Sequence, residues 1–162
     1  MNRVLIILFF VLSGVSNLSA QSHIVKFEEI KTLQEKAPKP LLVLIMTSWC
    51  KYCHAMKNTM TRDKKVATIL KEKFYTVFLD AEDKNDILFA GRNFKHQSGL
   101  HELAKELATI KGQISYPTIT ILNVKNEIIY QHDGFLSPQA MLYILKKSIS
   151  ELNFEIEFYP LY

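Results

Sequence analysis

The feature that most constrains the fold is a short apolar run, Leu41–Met46, which is followed almost at once by two cysteines. Pro38 and Pro40 stand before the run, and Cys50 and Cys53 come after it. A short apolar run with no alternating polar positions is typical of a strand that is covered on both faces. The sequence therefore predicts an α/β fold in which the cysteine pair lies where a buried strand ends and a helix begins.

The rest of the chain alternates between helical and strand patterns. The predicted order is helix, strand, helix, strand, helix, strand, strand, helix, which gives a central mixed β-sheet with helices on both faces. The predicted helices cover residues 27–37, 51–70 with a break near 61–63, 101–110 with Gly112 as its terminator, and a last segment that begins at Ser137. The predicted strands cover 41–46 and 74–79, with a hairpin in 119–130 and a smaller one in 87–97. The tail, residues 151–162, is either an added edge strand or a loose extension.

The N-terminus has the three-part pattern of a secretory signal peptide. Met1-Asn2-Arg3 is a short cationic start, residues 4–12 are apolar, and residues 13–20 become small and polar. An uncleaved membrane anchor is the weaker alternative, because the apolar run is shorter than a bilayer requires. We expect a signal peptide at 1–20 and a single domain at 21–162. The mature protein would be exported to the periplasm or cell exterior, without stable membrane insertion after cleavage.

Chain length and charge narrow the range of partners. A chain of 162 residues suits one hydrophobic core better than two. The net charge is +4 at pH 7, but basic and acidic side chains are interleaved, as in Lys71-Glu72-Lys73. A nucleic-acid interface needs clustered cations. We therefore expect no nucleic-acid partner.

The cysteine spacing points to redox chemistry rather than to structural stapling. A disulfide between Cys50 and Cys53 closes a very small loop and restricts the unfolded chain little. At a helix N-terminus, free N–H groups and the helix dipole favour a negative sulfur, and Lys51 adds a nearby cation. One helical turn separates the two sulfurs, so the second can displace a partner from the first. Cys50 is the predicted nucleophile, Cys53 the predicted resolving thiol, and His54 a candidate tuning residue beside Lys51.

Two segments resemble the thioredoxin superfamily. The stretch LLVLIMTSWCKYC at 41–53 resembles its strand-to-active-site segment, and ISYPTITILNVKNEIIYQHDGFLSPQAMLYILKK at 114–147 resembles its C-terminal half. The chain looks most like exported bacterial relatives with an insertion, here at about 84–112. The resemblance implies a thioredoxin fold and a thiol–disulfide oxidoreductase that needs no cofactor. Its partners would be protein thiols and disulfides, with a dithiol protein as electron donor or acceptor.

The resemblance also assigns a substrate groove. It implies that Pro117 is cis and lies against the cysteine pair. Tyr116 and Thr118 would then flank the groove, and the backbone of Tyr116 would be free to pair with a bound peptide. Trp49 and Tyr52 would form an apolar lip at its mouth.

The chain departs from thioredoxin itself at two places in the site. Leu44 occupies the position of a buried acid that assists proton transfer from the resolving thiol, so thioredoxin-like rates do not carry over. Lys51-Tyr52 replaces the Gly-Pro between the cysteines, so the redox potential does not carry over either.

Three other interpretations of the same residues compete with disulfide exchange. Cys50-Lys51-Tyr52-Cys53-His54 also fits the C-x-x-C-H pattern of covalent haem attachment, with a methionine as the second axial ligand. The histidines lack the compact spacing of a zinc site, so no metal is predicted. A non-catalytic binding or chaperone module on the same fold is the third interpretation, although such a module needs neither cysteine.

Overall fold

The structure is a computed structural model, and it describes residues 24–158. It contains five helices in that range: α1 (Phe27–Lys36), α2 (Lys51–Arg62), α3 (Lys64–Lys73), α4 (Glu102–Ala108) and α5 (Pro138–Phe158). The four longer strands are β1 (Leu41–Met46), β2 (Tyr75–Asp80), β9 (Thr118–Leu122) and β10 (Ile128–Asp133). The short strands are β3 (Ile87–Phe89), β4 (Arg92–Phe94), β5 (His96–Gln97), β6 (Leu100–His101), β7 (Thr109–Ile110) and β8 (Gln113–Ile114).

The four longer strands form one mixed sheet in the order β10-β9-β1-β2. β1 runs parallel to β2, with Met46 opposite Asp80 at their carboxyl ends. β1 runs antiparallel to β9, and β9 forms an antiparallel hairpin with β10. The predicted mixed sheet and its central buried strand are confirmed.

Helices cover both faces of this sheet, and β1 divides its side chains between them. Every residue of β1 is buried. Leu41, Val43 and Ile45 pack with α1 and α4 on one face. Alternate residues, such as Leu42 and Leu44, pack with α2, α3 and α5 on the other. This pattern explains the uninterrupted apolar run, since neither face of the strand meets water.

The break predicted near 61–63 is a real junction between two helices. Asp63 ends α2 and begins α3, and its carboxylate accepts hydrogen bonds from the N–H groups of Lys65 and Val66 at 3.0 Å. These bonds satisfy N–H groups that have no partner inside the helix. The junction lets α3 turn back over the same face of the sheet as α2.

The region between β2 and β9 contains three two-stranded sheets and α4. The sheets are β3–β4, β5–β6 and β7–β8. The β3–β4 hairpin confirms the small hairpin predicted within 87–97. Phe89 from this hairpin packs edge-on against Phe27 of α1, with ring centroids 5.0 Å apart. The region therefore extends the core on the α1 side of the sheet.

Two details differ from the sequence-based expectations. The fourth helix ends at Ala108, and Gly112 lies with Lys111 in the turn between β7 and β8, both with positive φ. Gly112 is thus a hairpin residue, because two adjacent left-handed residues suit a tight turn between antiparallel strands. The last helix continues to Phe158, so an edge strand at 151–158 is wrong.

The predicted signal peptide at 1–20 lies outside the described residues, as do residues 159–162 of the tail. Within residues 24–158, no helix is long and apolar enough to span a bilayer.

Candidate active site

The first cysteine caps the helix that carries the second. Cys50 is the N-cap residue of α2, and its Sγ accepts a hydrogen bond from the N–H of Cys53 at 3.1 Å. Its own N–H donates to the carbonyl of Thr47 at 3.3 Å, which closes the turn after β1. A sulfur in this position lies beside the unpaired N–H groups of the first helical turn, where negative charge is stabilised.

The two cysteines form a disulfide, with their Cα atoms 5.2 Å apart. Cys50 keeps 7% of its surface exposed, whereas Cys53 is fully buried. Both belong to the core cluster on the α2 side of the sheet. An incoming sulfur therefore reaches Cys50 more readily than Cys53.

The loop before β9 packs through Tyr116 against the cluster that contains both cysteines. The Tyr116–Pro117 peptide bond is cis, and Pro117 accepts a hydrogen bond from the N–H of Gly134 at 2.8 Å. The hydroxyl of Thr118 donates to the carbonyl of Ser115 at 2.8 Å. Within the described part of the chain, neither the N–H nor the C=O of Tyr116 has a hydrogen-bond partner.

The residue before each cysteine is an exposed aromatic that pairs with a second ring. Trp49 is 66% exposed, and its ring meets that of Tyr116 edge-on at 6.3 Å. Tyr52 is 68% exposed, and its ring lies 6.1 Å from that of Phe135. The sequence analysis did not assign Phe135 to the site. The sequence offers one signal for it, since Phe135 follows Gly134 within the stretch 114–147 that carries the resemblance.

A carboxylate holds the tryptophan in place. The Nε1–H of Trp49 donates to Oε1 of Glu82 at 3.1 Å, and the backbone N–H of Glu82 donates to Asp80 Oδ1 at 2.9 Å. Burial raises the pKa of Tyr116 above its usual value, and the charges of Glu82 and then Asp80 raise it further. Both carboxylates thus act on the wall of the groove formed by Trp49 and Tyr116. Neither was assigned to the site from the sequence.

The two predicted tuning residues lie on the first turn of α2. Lys51 is the first residue of the helix and is exposed. His54 is also exposed, and its Nε2 lies 2.7 Å from the carbonyl oxygen of Ser48, an acceptor, so Nε2 carries the proton. This bond ties the helix to the loop in front of Cys50. Tuning of the thiols by either residue stays a prediction.

The site lacks the buried acid of thioredoxin. Leu44 is fully buried in the cluster that contains Cys53. In residues 24–152, the buried polar side chains are threonines, Ser148 and His101, and none carries a carboxylate. His101 lies at the start of α4, on the other face of the sheet. Among residues 24–152, no buried carboxylate is thus available to take a proton from the Cys53 thiol.

The geometry favours disulfide chemistry over haem attachment. Thioether links to haem need both cysteine sulfurs, and here those sulfurs are bonded to each other. The Nε2 atom of His54, which would bind the iron, is engaged with Ser48. Among the residues that the structure describes, no group of three or more histidine, cysteine, aspartate or glutamate side chains is arranged to hold a metal ion.

Comparisons with solved structures show the same fold. A thioredoxin-fold protein from Helicobacter pylori is 16% identical with a TM-score of 0.56, over 90% of this chain and 94% of that one. A thioredoxin from Thermus thermophilus is 17% identical with a TM-score of 0.58, over 80% and 88%. A disulphide isomerase from Xylella fastidiosa Temecula1 is 16% identical with a TM-score of 0.54, over 83% and 96%. No curated protein sequence matches the chain significantly.

Family membership rests on the sequence itself. The sequence model of the thioredoxin-like domain matches residues 27–149, which run from the start of α1 into α5 and include both cysteines and Pro117. The match covers most of the chain, and the structure has the fold that it implies. The chain therefore belongs to the thioredoxin-like domain family.

Proposed function

We propose that this protein is a thiol–disulfide oxidoreductase that exchanges disulfides with exported proteins through Cys50 and Cys53. The observation that carries the proposal is the position of Cys50: its sulfur caps α2, accepts the N–H of Cys53 and is bonded to the Cys53 sulfur. Family membership supports the same activity.

The exchange proceeds in two balanced steps. In the reducing direction, the Cys50 thiolate attacks a client disulfide, which forms a mixed disulfide and releases one client thiolate. The Cys53 thiolate then attacks the Cys50 sulfur, which releases the second client thiolate and closes the Cys50–Cys53 disulfide. The client gains two electrons and the protein loses two. A dithiol protein restores them, and the reverse sequence oxidises a client.

The groove beside Cys50 suits an extended polypeptide. The free N–H and C=O of Tyr116 provide two hydrogen bonds of the kind that a β-strand makes with its neighbour. The exposed rings of Trp49, Tyr52 and Phe135 provide apolar surface for contact with a client. We therefore assign client binding to these residues together with Pro117 and Thr118.

Export is part of the proposal because of the pattern at residues 1–20, which matches a signal peptide. Outside the cytoplasm, disulfides form and persist, so protein disulfides are available there as substrates. The clients and the dithiol partner are accordingly proteins of the periplasm or cell exterior.

Turnover of a protein disulfide tests the activity. With dithiothreitol as electron donor, the wild-type protein is expected to accelerate insulin reduction, whereas Cys50→Ser has no effect above background. Cys53→Ser keeps the first attack but cannot resolve the mixed disulfide by itself, so its turnover falls strongly. Cys50→Ser activity equal to that of the wild type would refute the catalytic role and leave the binding module as the better interpretation.

The redox potential assigns the direction of electron flow. A thiolate stabilised by the helix terminus and Lys51 favours an oxidant, whereas the family includes reductases as well. Equilibration with glutathione buffers measures the midpoint: a value well below about −230 mV indicates a reductase, and one above about −150 mV an oxidant.

A further inference from the structure

Two carboxylates that form no ion pair in the described part of the chain lie on one side of the groove beside Cys50. On the Trp49–Tyr116 side, Glu82 and Asp80 are exposed. One oxygen of Glu82 accepts the Trp49 indole N–H, and one oxygen of Asp80 accepts the Glu82 N–H. Across the part of the chain that the structure describes, neither carboxylate forms an ion pair with a lysine, arginine or histidine.

The charge of this pair reaches the groove wall itself. Both carboxylates act electrostatically on the Tyr116 hydroxyl, whose ring faces Trp49. Their position follows from the sheet: β1 and β2 are parallel and end together, so the residues after Met46 and Asp80 meet at one edge. The acidic pair is therefore continuous with the apolar surface and the free backbone groups that flank Cys50.

We infer that this site selects client segments in which lysine or arginine stands close to the reacting cysteine, so that the cation lies against Glu82 and Asp80. The inference rests on the proposed exchange activity and adds a substrate class to it. An apolar side chain of the client packs on Trp49 and Tyr116, and the neighbouring cation meets the free carboxylate oxygens. Opposite charges at a groove rim increase encounter rate and fix the direction in which the segment lies.

Short cysteine peptides test the selection directly. One series carries a single cysteine flanked by leucine, with lysine, glutamine or glutamate two residues before or after it. The oxidised protein is mixed with each peptide, and the fluorescence of Trp49, the one tryptophan in the chain, reports the opening of the adjacent disulfide. Each rate is divided by the rate of that peptide with the neutral hydroxyethyl disulfide, which removes differences in intrinsic thiol reactivity.

The expected result is that one lysine peptide reacts about three- to fivefold faster than its glutamine counterpart, in the upper part of the range of an exposed ion pair. Glutamate is expected to slow the reaction. High salt removes most of this preference. The double variant Asp80→Asn with Glu82→Gln abolishes it but keeps both acceptor oxygens for their hydrogen bonds. The charge-matched control, Glu35→Gln with Glu72→Gln, retains it, since these exposed residues lie in the last turns of α1 and α3, which lead into the starts of β1 and β2 at the opposite end of the sheet.

Equal rates for lysine and glutamine peptides with the wild type would overturn the inference. A preference that persists in the Asp80→Asn and Glu82→Gln variant would overturn it as well. Failure of the proposed exchange activity would give a different result. In that case no peptide, whatever its charge, would open the Cys50–Cys53 disulfide faster than it opens hydroxyethyl disulfide.

Discussion

At the scale of single residues, Leu44 distinguishes this site from thioredoxin. It is fully buried in the same cluster as Cys53, at the position where thioredoxin has an acid. The leucine side chain leaves no charged group at this buried position of the Cys53 cluster. A carboxylate placed there would lose its hydration and would find no cation in the surrounding apolar cluster.

We predict that Leu44→Asp lowers the free energy of unfolding by about 3 kcal/mol or more at pH 8, because it buries an unpaired charge. The buried carboxyl holds its proton more tightly than the unfolded chain does, so part of the stability returns as the pH falls toward 4. Urea unfolding at both pH values measures the effect. Leu44→Asn is the matched control, and its loss should be nearly independent of pH; equal pH dependence in both variants would contradict the account.

The site residues that the sequence predicts differ in one physical respect from those that it does not predict. Cys50, Cys53 and Pro117 stand in local motifs that are visible in the chain. Glu82 and Phe135 enter the site only because the sheet brings distant strand ends together. The acidic residues directly after β2 are visible in the sequence, but the contact of Glu82 with Trp49 depends on β1 and β2 ending side by side.

At the scale of secondary-structure elements, the end of α1 depends on one tyrosine of β2. The hydroxyl of Tyr75 lies 2.9 Å from the carbonyl of Leu33 and 2.8 Å from that of Ala37. The carbonyl of Leu33, in the last turn of the helix, also accepts the N–H of Ala37, whereas the carbonyl of Ala37, the C-cap residue, has no donor within the helix. Burial raises the pKa of Tyr75 above its ordinary value of 10.0.

We predict that Tyr75→Phe lowers the free energy of unfolding by about 1 kcal/mol near neutral pH, because the carbonyl of Ala37 loses its donor. Above pH 10 the unfolded chain releases the Tyr75 proton before the native chain does, so the wild type loses stability as the pH rises. Tyr75→Phe removes this contribution and flattens the alkaline loss. Denaturant unfolding from pH 7 to 11 checks it, with exposed Tyr143→Phe as the control; identical alkaline slopes in both variants would count against the role of Tyr75.

The longer elements could be predicted because each carries a strong local pattern. The six apolar residues of β1 and the amphipathic faces of α1, α2 and α3 determine their type before tertiary contacts are known. Strands of two residues, such as β5 to β8, carry no such pattern. Their pairing depends on turns with positive φ and on packing, which is why the turn at Gly112 was assigned to a helix end.

At the scale of the whole molecule, the family domain at 27–149 follows a segment, residues 1–20, whose pattern predicts a signal peptide. We predict that the mature protein begins at Gln21 and is recovered from the periplasm or culture medium. Expression of the full chain in a bacterial host, followed by fractionation and mass spectrometry of the intact protein, measures both. An intact chain that keeps Met1 and remains in the cytoplasmic fraction would contradict export.

The insertion proposed at about 84–112 contains secondary structure of its own: β3 to β6, α4 and the first strand of the β7–β8 hairpin. It packs on α1 and the sheet face away from the cysteine pair. We therefore assign it to the support of the fold rather than to contact with the reacting sulfurs.

In the proposed mechanism, Cys50 captures clients covalently and Cys53 releases them. The most direct test is to express Cys53→Ser with its own signal peptide, quench the cells with acid and alkylating agent, and map mixed disulfides by mass spectrometry. We expect client peptides linked to Cys50 by a disulfide, and reductant should release them. They should be absent from Cys50→Ser. A Cys53→Ser protein that is folded and exported, yet carries no protein partner on Cys50, would contradict this mechanism.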